Sequence, residues 1–449
     1  MGIRTSIVLV LTALFVSIQG IIGADCYWAV ALGNAILHKG HIPEGVPFAA
    51  AATRGWPTVP ALAELVFAAM NHAGPGMLLV AQLVAVAMAM GLLSIGARSL
   101  GAEDAETAAT LLVLTLGALP SMAVVRLQLV SLVPFALLVL LLRRQDQVPS
   151  AGIWLMVPLF AVWGNLHGAV LVGLAVACAY LAFSRVRRDP GVAISVCLAS
   201  VAAIHANPAG FDTWRYYAGV LRNEAAQRHS DLWARPSLDS GFDILMMGST
   251  VVLILLTLRR RRPLWEYIAV AGLGVGTALT ARNGLWLLMF CSAAAAAGLT
   301  SQRPFHGALQ RQRDSAKSSV VLLALGLTVA TVSSVHRGAD VVPVSDRATL
   351  AVVKLAAGGV LLAPEPAAES FAAGGATVWM ANPIDAFGQS DQAAYLDFLA
   401  GGPQASRAVA SADLVVAHEG TALAKRLARS VRLHPVPDAP GWLFFKPTL

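Results

Sequence analysis

Apolar runs of membrane-crossing length, broken by short arginine-bearing turns, recur along this chain. They lie at roughly 5–24, 76–97, 105–123, 127–142, 152–166, 168–184, 190–206, 241–258, 264–281, 284–300 and 318–336. A helix needs about 20 apolar residues to cross the hydrocarbon core. Of the 449 residues, 57% are apolar and 13% charged, and the mean hydropathy is +0.68. Soluble domains carry roughly 25% charged residues, so this chain lacks the charge to cover a soluble protein's surface. An ordinary cytosolic enzyme, a disordered chain and a fibrous protein are excluded. The pattern predicts a polytopic α-helical membrane protein with about eleven transmembrane helices. The first run, Ile7 to Ala24, exceeds the usual length of a signal-peptide apolar core and reads as a membrane helix that stays attached.

The net charge of +7 does not point to nucleic acid, because the basic residues cluster between apolar runs, as topology determinants do. With the N-terminus inside, the internal segments carry 15 basic residues up to residue 336 and the external loops 8. The dense groups Arg143–Arg144, Arg185–Arg188, Arg259–Arg262 and Arg303–Lys317 all fall inside. The expected topology therefore has a cytoplasmic N-terminus and an extracytoplasmic tail. Four cysteines, Cys26, Cys178, Cys197 and Cys291, imply no disulfide framework.

Two external loops are long, 25–75 and 207–240. The first holds helical spacing over Tyr27–Lys39 and Pro60–Asn71, suited to amphipathic helices on the membrane surface. The second is rich in Trp, Tyr and Arg, including Trp214, Arg215, Tyr216, Arg222 and Arg228. Trp and Tyr favour the headgroup level, and arginine grips phosphate bidentately. From about Arg337 the composition changes. Strand-like runs at Gly359–Leu362, Thr377–Met380, Leu414–Ala417 and Trp442–Phe445 alternate with helical ones at Pro366–Ala373, Asp391–Ala400 and Thr421–Ser430. Two domains follow: a membrane domain, 1–336, carrying both loops, and a small extracytoplasmic α/β domain, 337–449.

Polar groups at membrane depth are costly and demand an account. Asp25, Arg126, Asn165, His167, His205, Asn207 and Arg282 all fall at external helix ends, from where they can converge on one external cavity. Each also has a plainer reading. Asp25 serves as a boundary solubiliser, a base or a metal ligand. Asn165 and His167 cap helix ends or bind ligand. Arg126 and Arg282 anchor at the interface or bind phosphate. Asn207 forms a turn. Glu64 lies on the polar face of a surface helix or binds substrate.

Asp25-Cys26-Tyr27-Trp28, Gly40-His41-Ile42-Pro43, Pro47-Phe48, Trp56 and Ala63-Glu64 together resemble the first external loop of GT-C glycosyltransferases. Arg126-Leu127-Gln128, Trp163-Gly164-Asn165-Leu166-His167-Gly168, Asn207-Pro208-Ala209-Gly210 and Ala281-Arg282-Asn283 resemble later blocks, so the resemblance spans nearly the whole chain. It implies sugar transfer from a polyprenyl-phosphate donor to a glycan, lipid or protein acceptor outside the plasma membrane. It implies Asp25 as the catalytic acid or base, with Glu64, Arg126, Asn165, His167, Asn207, Arg215 and Arg282 binding substrate. Membrane lipids are the other expected partners. Two departures stand out. Relatives often carry a second acid before the Pro-Phe pair, whereas this chain has Gly45-Val46-Pro47-Phe48 with Glu44 upstream. A divalent cation, the only cofactor in question, loses support there. Ala381-Asn382-Pro383 replaces an aspartate–arginine type of motif.

The competing functions are a transporter or flippase of lipid-linked glycans and a non-catalytic envelope scaffold. A transporter favours polar groups near the midplane and paired, interrupted helices, whereas here the polar groups gather at external ends. The topology has a direct check. A reporter active only outside the cytoplasm is expected to work when fused after Leu449 and to fail after Arg262. The opposite pattern overturns the orientation.

Overall fold

The structure, a computed structural model, describes residues 1–53, 55–300, 309–429, 433–436 and 441–447. Arg54 and Arg303, both counted in the charge partition, lie outside the described residues. The chain is mostly helical and divides into two compact units. The first comprises Met1–Ile21, Gly76–Asn207 and Leu232–Ala339; the second comprises Ile22–Pro75, Pro208–Asp231 and Asp340–Leu449.

The first unit is a helical bundle in which each expected apolar run holds a helix. Among the described residues, five helices are long and apolar enough to cross a membrane: Gly76–Ser99, Leu127–Gln147, Val170–Arg187, Gly241–Leu258 and Lys317–Arg337. Ile3–Gln19, Ala151–Gly164, Pro190–Ile204 and Leu264–Leu279 are apolar but shorter. The protein is accordingly of the multi-pass membrane type. Small residues bring the helices together, as expected where hydrocarbon supplies no hydrophobic drive between them. A Cβ added to Gly298 would sit 1.9 Å from the Leu256 carbonyl oxygen, so Gly284–Leu299 and Gly241–Leu258 pack backbone to backbone. The helix Ile3–Gln19 lies against Leu309–Arg337, and its two ends are closed by charge. Asp104 accepts from the amides of Arg4 (2.9 Å) and Thr5 (3.3 Å), and Arg337 donates to the carbonyls of Ser17 (2.5 Å) and Gly20 (3.2 Å). An acid at the N-terminus and a cation at the C-terminus complement the helix dipole.

Arg143 departs from its expected place in a solvated internal turn. It is buried, and its Nε donates to Glu266 at 3.1 Å. The helix Leu132–Gln147 runs on past Arg143, so the residue stays inside the bundle, where only a paired charge is tolerable.

The second unit gathers both long loops with the tail. Its sheet has the order Leu361–Leu362, Leu414–His418, Trp442–Pro447, Leu433–Val436; the first pairing is parallel and the other two antiparallel. The expected strand Thr377–Met380 shrinks to bridges at Val378, which pairs with both Leu361 and Ala49. The first loop thus hydrogen-bonds into the tail: Val378 N–H donates to the Phe48 carbonyl at 2.9 Å and Ala50 N–H to the Val378 carbonyl at 2.8 Å. The helices Ala367–Ala373, Gln389–Ala400 and Ala422–Ala428 match the expected ones within two residues. The helices Asp346–Ala356 and Ala405–Ala410 and the strand Leu433–Val436 were not anticipated.

The two loop helices, Ala24–Lys39 and Ala61–His72, pack on each other, with Leu37 and Leu62 left exposed. The first is buried from Cys26 to Gly33, and Ala31 joins the core of the tail with Phe371, Val378, Leu414 and Phe444. The crossing point is Gly33, where a Cβ would lie 2.2 Å from the Glu64 carbonyl oxygen. Gly33→Ala is therefore expected to separate the helices and destabilise the second unit by about 1–3 kcal/mol, as overpacking does. Thermal unfolding checks it, and an unchanged melting temperature refutes the close approach.

Candidate functional site

In the second unit, acidic side chains gather near Tyr216. Asp25 sits half-buried in the first turn of Ala24–Lys39, where the unpaired N–H groups of a helix start favour a carboxylate. Glu64 lies one turn into its helix, is fully buried, and has both carboxyl oxygens without a hydrogen-bond partner among the described residues. It is therefore no polar-face residue of a surface helix. Burial pushes its carboxyl up to about 8. Asp385 accepts from the Trp56 indole N–H at 2.8 Å, and the Trp56 ring lies 5.9 Å from that of Tyr216. Burial raises Asp385 to about 6, opposed by the Trp56 bond. The Tyr216 phenol is pushed well above its ordinary value, by burial first and then by Asp385, with Glu64 and Asp25 adding to the effect. Three carboxyl groups thus share the electrostatic environment of one phenol.

Near Asp25 stands a second acidic pair. Burial raises the Glu369 carboxyl, and Asp25 acts in the same direction. Asn382 holds this pair: its side-chain amide donates to Glu365 at 2.5 Å and Glu369 at 2.9 Å, and its backbone N–H donates to Glu369 at 2.9 Å. An aspartate at position 382 would oppose two carboxyl groups and supply no side-chain donor, which gives the departure from the expected motif a physical reason.

The arginines of the second loop differ in availability. Arg215 is largely exposed, 3.7 Å from Asp212. Arg228, expected at headgroup level, instead pairs with Glu224 at 3.0 Å and Asp397 at 2.7 Å, tying its loop to the tail. Glu44 is exposed. Among the described residues no three His, Cys, Asp or Glu side chains come together closely enough to hold a metal ion.

In the first unit, the helix-end residues form a hydrogen-bonded set. The Trp163 indole donates to Ser131 Oγ at 2.8 Å, and Ser131 Oγ lies 3.2 Å from His167 Nδ1, which also accepts from the Ala169 N–H at 3.1 Å. With Nδ1 accepting, the neutral ring carries its proton on Nε2. Partial burial, then the Arg282 charge, lowers the pKa of His167 below the usual imidazole range, favouring that neutral donor form. Asn165 uses its amide N–H groups on the carbonyls of Ala161 (2.9 Å) and Ala206 (2.5 Å), clipping two helix ends together. Asn207 donates to the Ile204 carbonyl at 2.7 Å. Arg282 lies over the Trp233 ring, its Cζ 3.7 Å from the centroid. Arg126 precedes the short turn Leu127–Ser131 and is partly exposed.

Asp385, Glu365, Glu369, Ser131 and the specific placement of Tyr216 were not singled out from sequence. Asp385, Glu365 and Glu369 are distant in the chain from the first loop and carry no motif. Ser131 offered no signal beyond its neighbourhood to Arg126.

No protein-family model matches the chain, and no curated protein matches it. Solved structures do. The crystal structure of ArnT from Cupriavidus metallidurans bound to undecaprenyl phosphate superposes with a TM-score of 0.54 at 15% identity, covering 98% of this chain and 97% of that one. The apo form of the same protein gives 0.54 at 14% identity, covering 98% and 96%. The likeness is one of fold, and it extends over 98% of this chain.

The burial of Glu64 yields a pH signature. Its folded-state pKa, about 8, exceeds its ordinary value of 4.5. The folded protein thus holds a proton that the unfolded chain releases, and stability falls as pH rises through that window. Glu64→Gln lacks this loss. The variant is expected to match the parent in melting temperature near pH 4.5 and to exceed it by several degrees at pH 8. A difference that stays flat with pH would show that Glu64 is not held protonated.

Proposed function

We propose that the protein is a membrane glycosyltransferase that moves a sugar from a polyprenyl-phosphate donor to an acceptor in the cell envelope. The observation that carries this reading is the whole-chain fold shared with an ArnT structure containing undecaprenyl phosphate. The placement of Asp25 at a helix start, with its carboxylate half-exposed, supports the same reading.

Asp25 is the general base. It accepts the proton of an acceptor hydroxyl as that oxygen attacks the anomeric carbon of the donor sugar, and the bond to the lipid phosphate breaks. Arg126 and Arg282 offset the charge developing on the departing phosphate. Arg215, exposed on its loop, grips phosphate at headgroup level. His167, neutral with Nε2–H, donates a hydrogen bond to sugar or phosphate. Glu64, held as a neutral acid, acts as a donor rather than a second base. Asn165 and Asn207 contribute their carbonyl oxygens, their amide groups being engaged on backbone. In this reading residues 1–336 form the membrane domain, with about eleven crossings and a cytoplasmic N-terminus, and 337–449 form the extracytoplasmic domain.

Asp25→Asn keeps size while removing proton acceptance. The expected loss is roughly 10²–10⁴-fold in turnover, the usual worth of general-base catalysis, with little change in donor binding. Sugar transfer from a polyprenyl-phosphate donor by the purified parent and variant checks this. If the parent transfers sugar and the variant keeps its rate, Asp25 is a boundary residue.

A further inference from the structure

A cationic centre lies in the first unit, where the helices Leu132–Gln147, Leu264–Leu279 and Gly284–Leu299 meet. Arg143 there donates to Glu266 through Nε at 3.1 Å and to the Phe290 carbonyl through Nη2 at 2.8 Å; its Cζ stands 5.0 Å from the Phe290 ring centroid. Arg262 donates through Nη2 to the Ala294 carbonyl at 2.6 Å, and Arg260 to the Thr300 carbonyl at 2.7 Å. Arg143, Arg260 and Glu266 all act electrostatically on Arg262. Two further cations and one carboxylate thus share the surroundings of Arg262.

The centre has unused hydrogen-bonding capacity. Arg143 Nη1, Arg262 Nε and the Trp265 indole N–H are buried without partners among the described residues, and so is one acceptor, Glu266 Oε2. Leaving several donors of charged groups unmatched is expensive. The excess of donors and of positive charge calls for an oxyanion, and the lone acceptor suits a neighbouring hydroxyl. The surroundings say where such a ligand comes from. Arg262 sits in the turn between two apolar helices, and Leu258 and Leu264, which flank that turn, are exposed. This puts exposed apolar surface for acyl chains next to a cationic turn, the arrangement by which basic sites between membrane helices take anionic headgroups.

We infer that this centre binds the phosphodiester of an anionic glycerophospholipid, with the arginines holding phosphate oxygens and Glu266 accepting from a headgroup hydroxyl. The site is distinct from the acidic set around Tyr216 and from the His167 set, and it does not depend on the proposed transferase activity.

Native mass spectrometry of the purified full chain in detergent tests this, with phosphatidylglycerol, phosphatidylcholine and inorganic phosphate as probes. The parent is expected to retain phosphatidylglycerol at least roughly ten-fold more than phosphatidylcholine. Arg262→Gln is expected to cut that retention roughly ten-fold, the worth of one charge-assisted hydrogen bond. Arg98→Gln, at an exposed position on another helix, is expected to leave it unchanged. Equal retention by Arg262→Gln and parent overturns the site. So does equal binding of the two lipids, and so does inorganic phosphate binding with no lipid preference. If Arg262→Gln does not fold, Arg262→Lys decides, since it keeps the charge but loses the Nε donor; retention at the parent's level refutes the assigned contact.

Discussion

In hydrocarbon every peptide group must find its partner within the protein, and that requirement shapes the bundle at its ends as well as its middle. The helix Ile3–Gln19 shows the consequence. Its first amides are taken by Asp104 and its last carbonyls by Arg337, from segments about a hundred and three hundred residues away. Asn165 does the same for two neighbouring helix ends. Polar side chains that look from sequence like ligand-binding groups are in part the means by which helix termini are closed.

The same economy governs the buried charges. Arg143 enters the bundle only with Glu266 and a carbonyl beside it. Glu64 enters the second unit with its carboxyl oxygens unpartnered among the described residues and is held as a neutral acid. The two cases mark the alternatives open to an ionisable group removed from water: pair, or give up the charge.

Much of this architecture was legible in the chain. Apolar length located every bundle helix, because twenty-residue runs have few other uses. Alternation in the tail located three of its helices and most of its strands. What failed to show were features set by distant pairing. Thr377–Met380 reads as a strand, yet only Val378 bridges, because the partner on one side is a short piece of the first loop. Arg228 reads as a headgroup anchor, yet it ties to Asp397, far along the sequence. In the site, Asp25, Glu64 and Trp56 were visible through local motifs. Asp385 and Glu369 were not, since nothing near them in sequence announces what the fold brings alongside.

Asn382 carries one more implication. Its side-chain amide is the donor that two carboxyl groups share, so losing that amide to hydrolysis would turn a bridge into a third acid. Asparagine side chains age chiefly through attack by the nitrogen of the next residue, which needs a backbone N–H. The next residue here is Pro383, which has none. The residue pair that departs from the expected motif is therefore also closed to deamidation by that route, which protects the neutral clasp on the acidic pair beside Asp25.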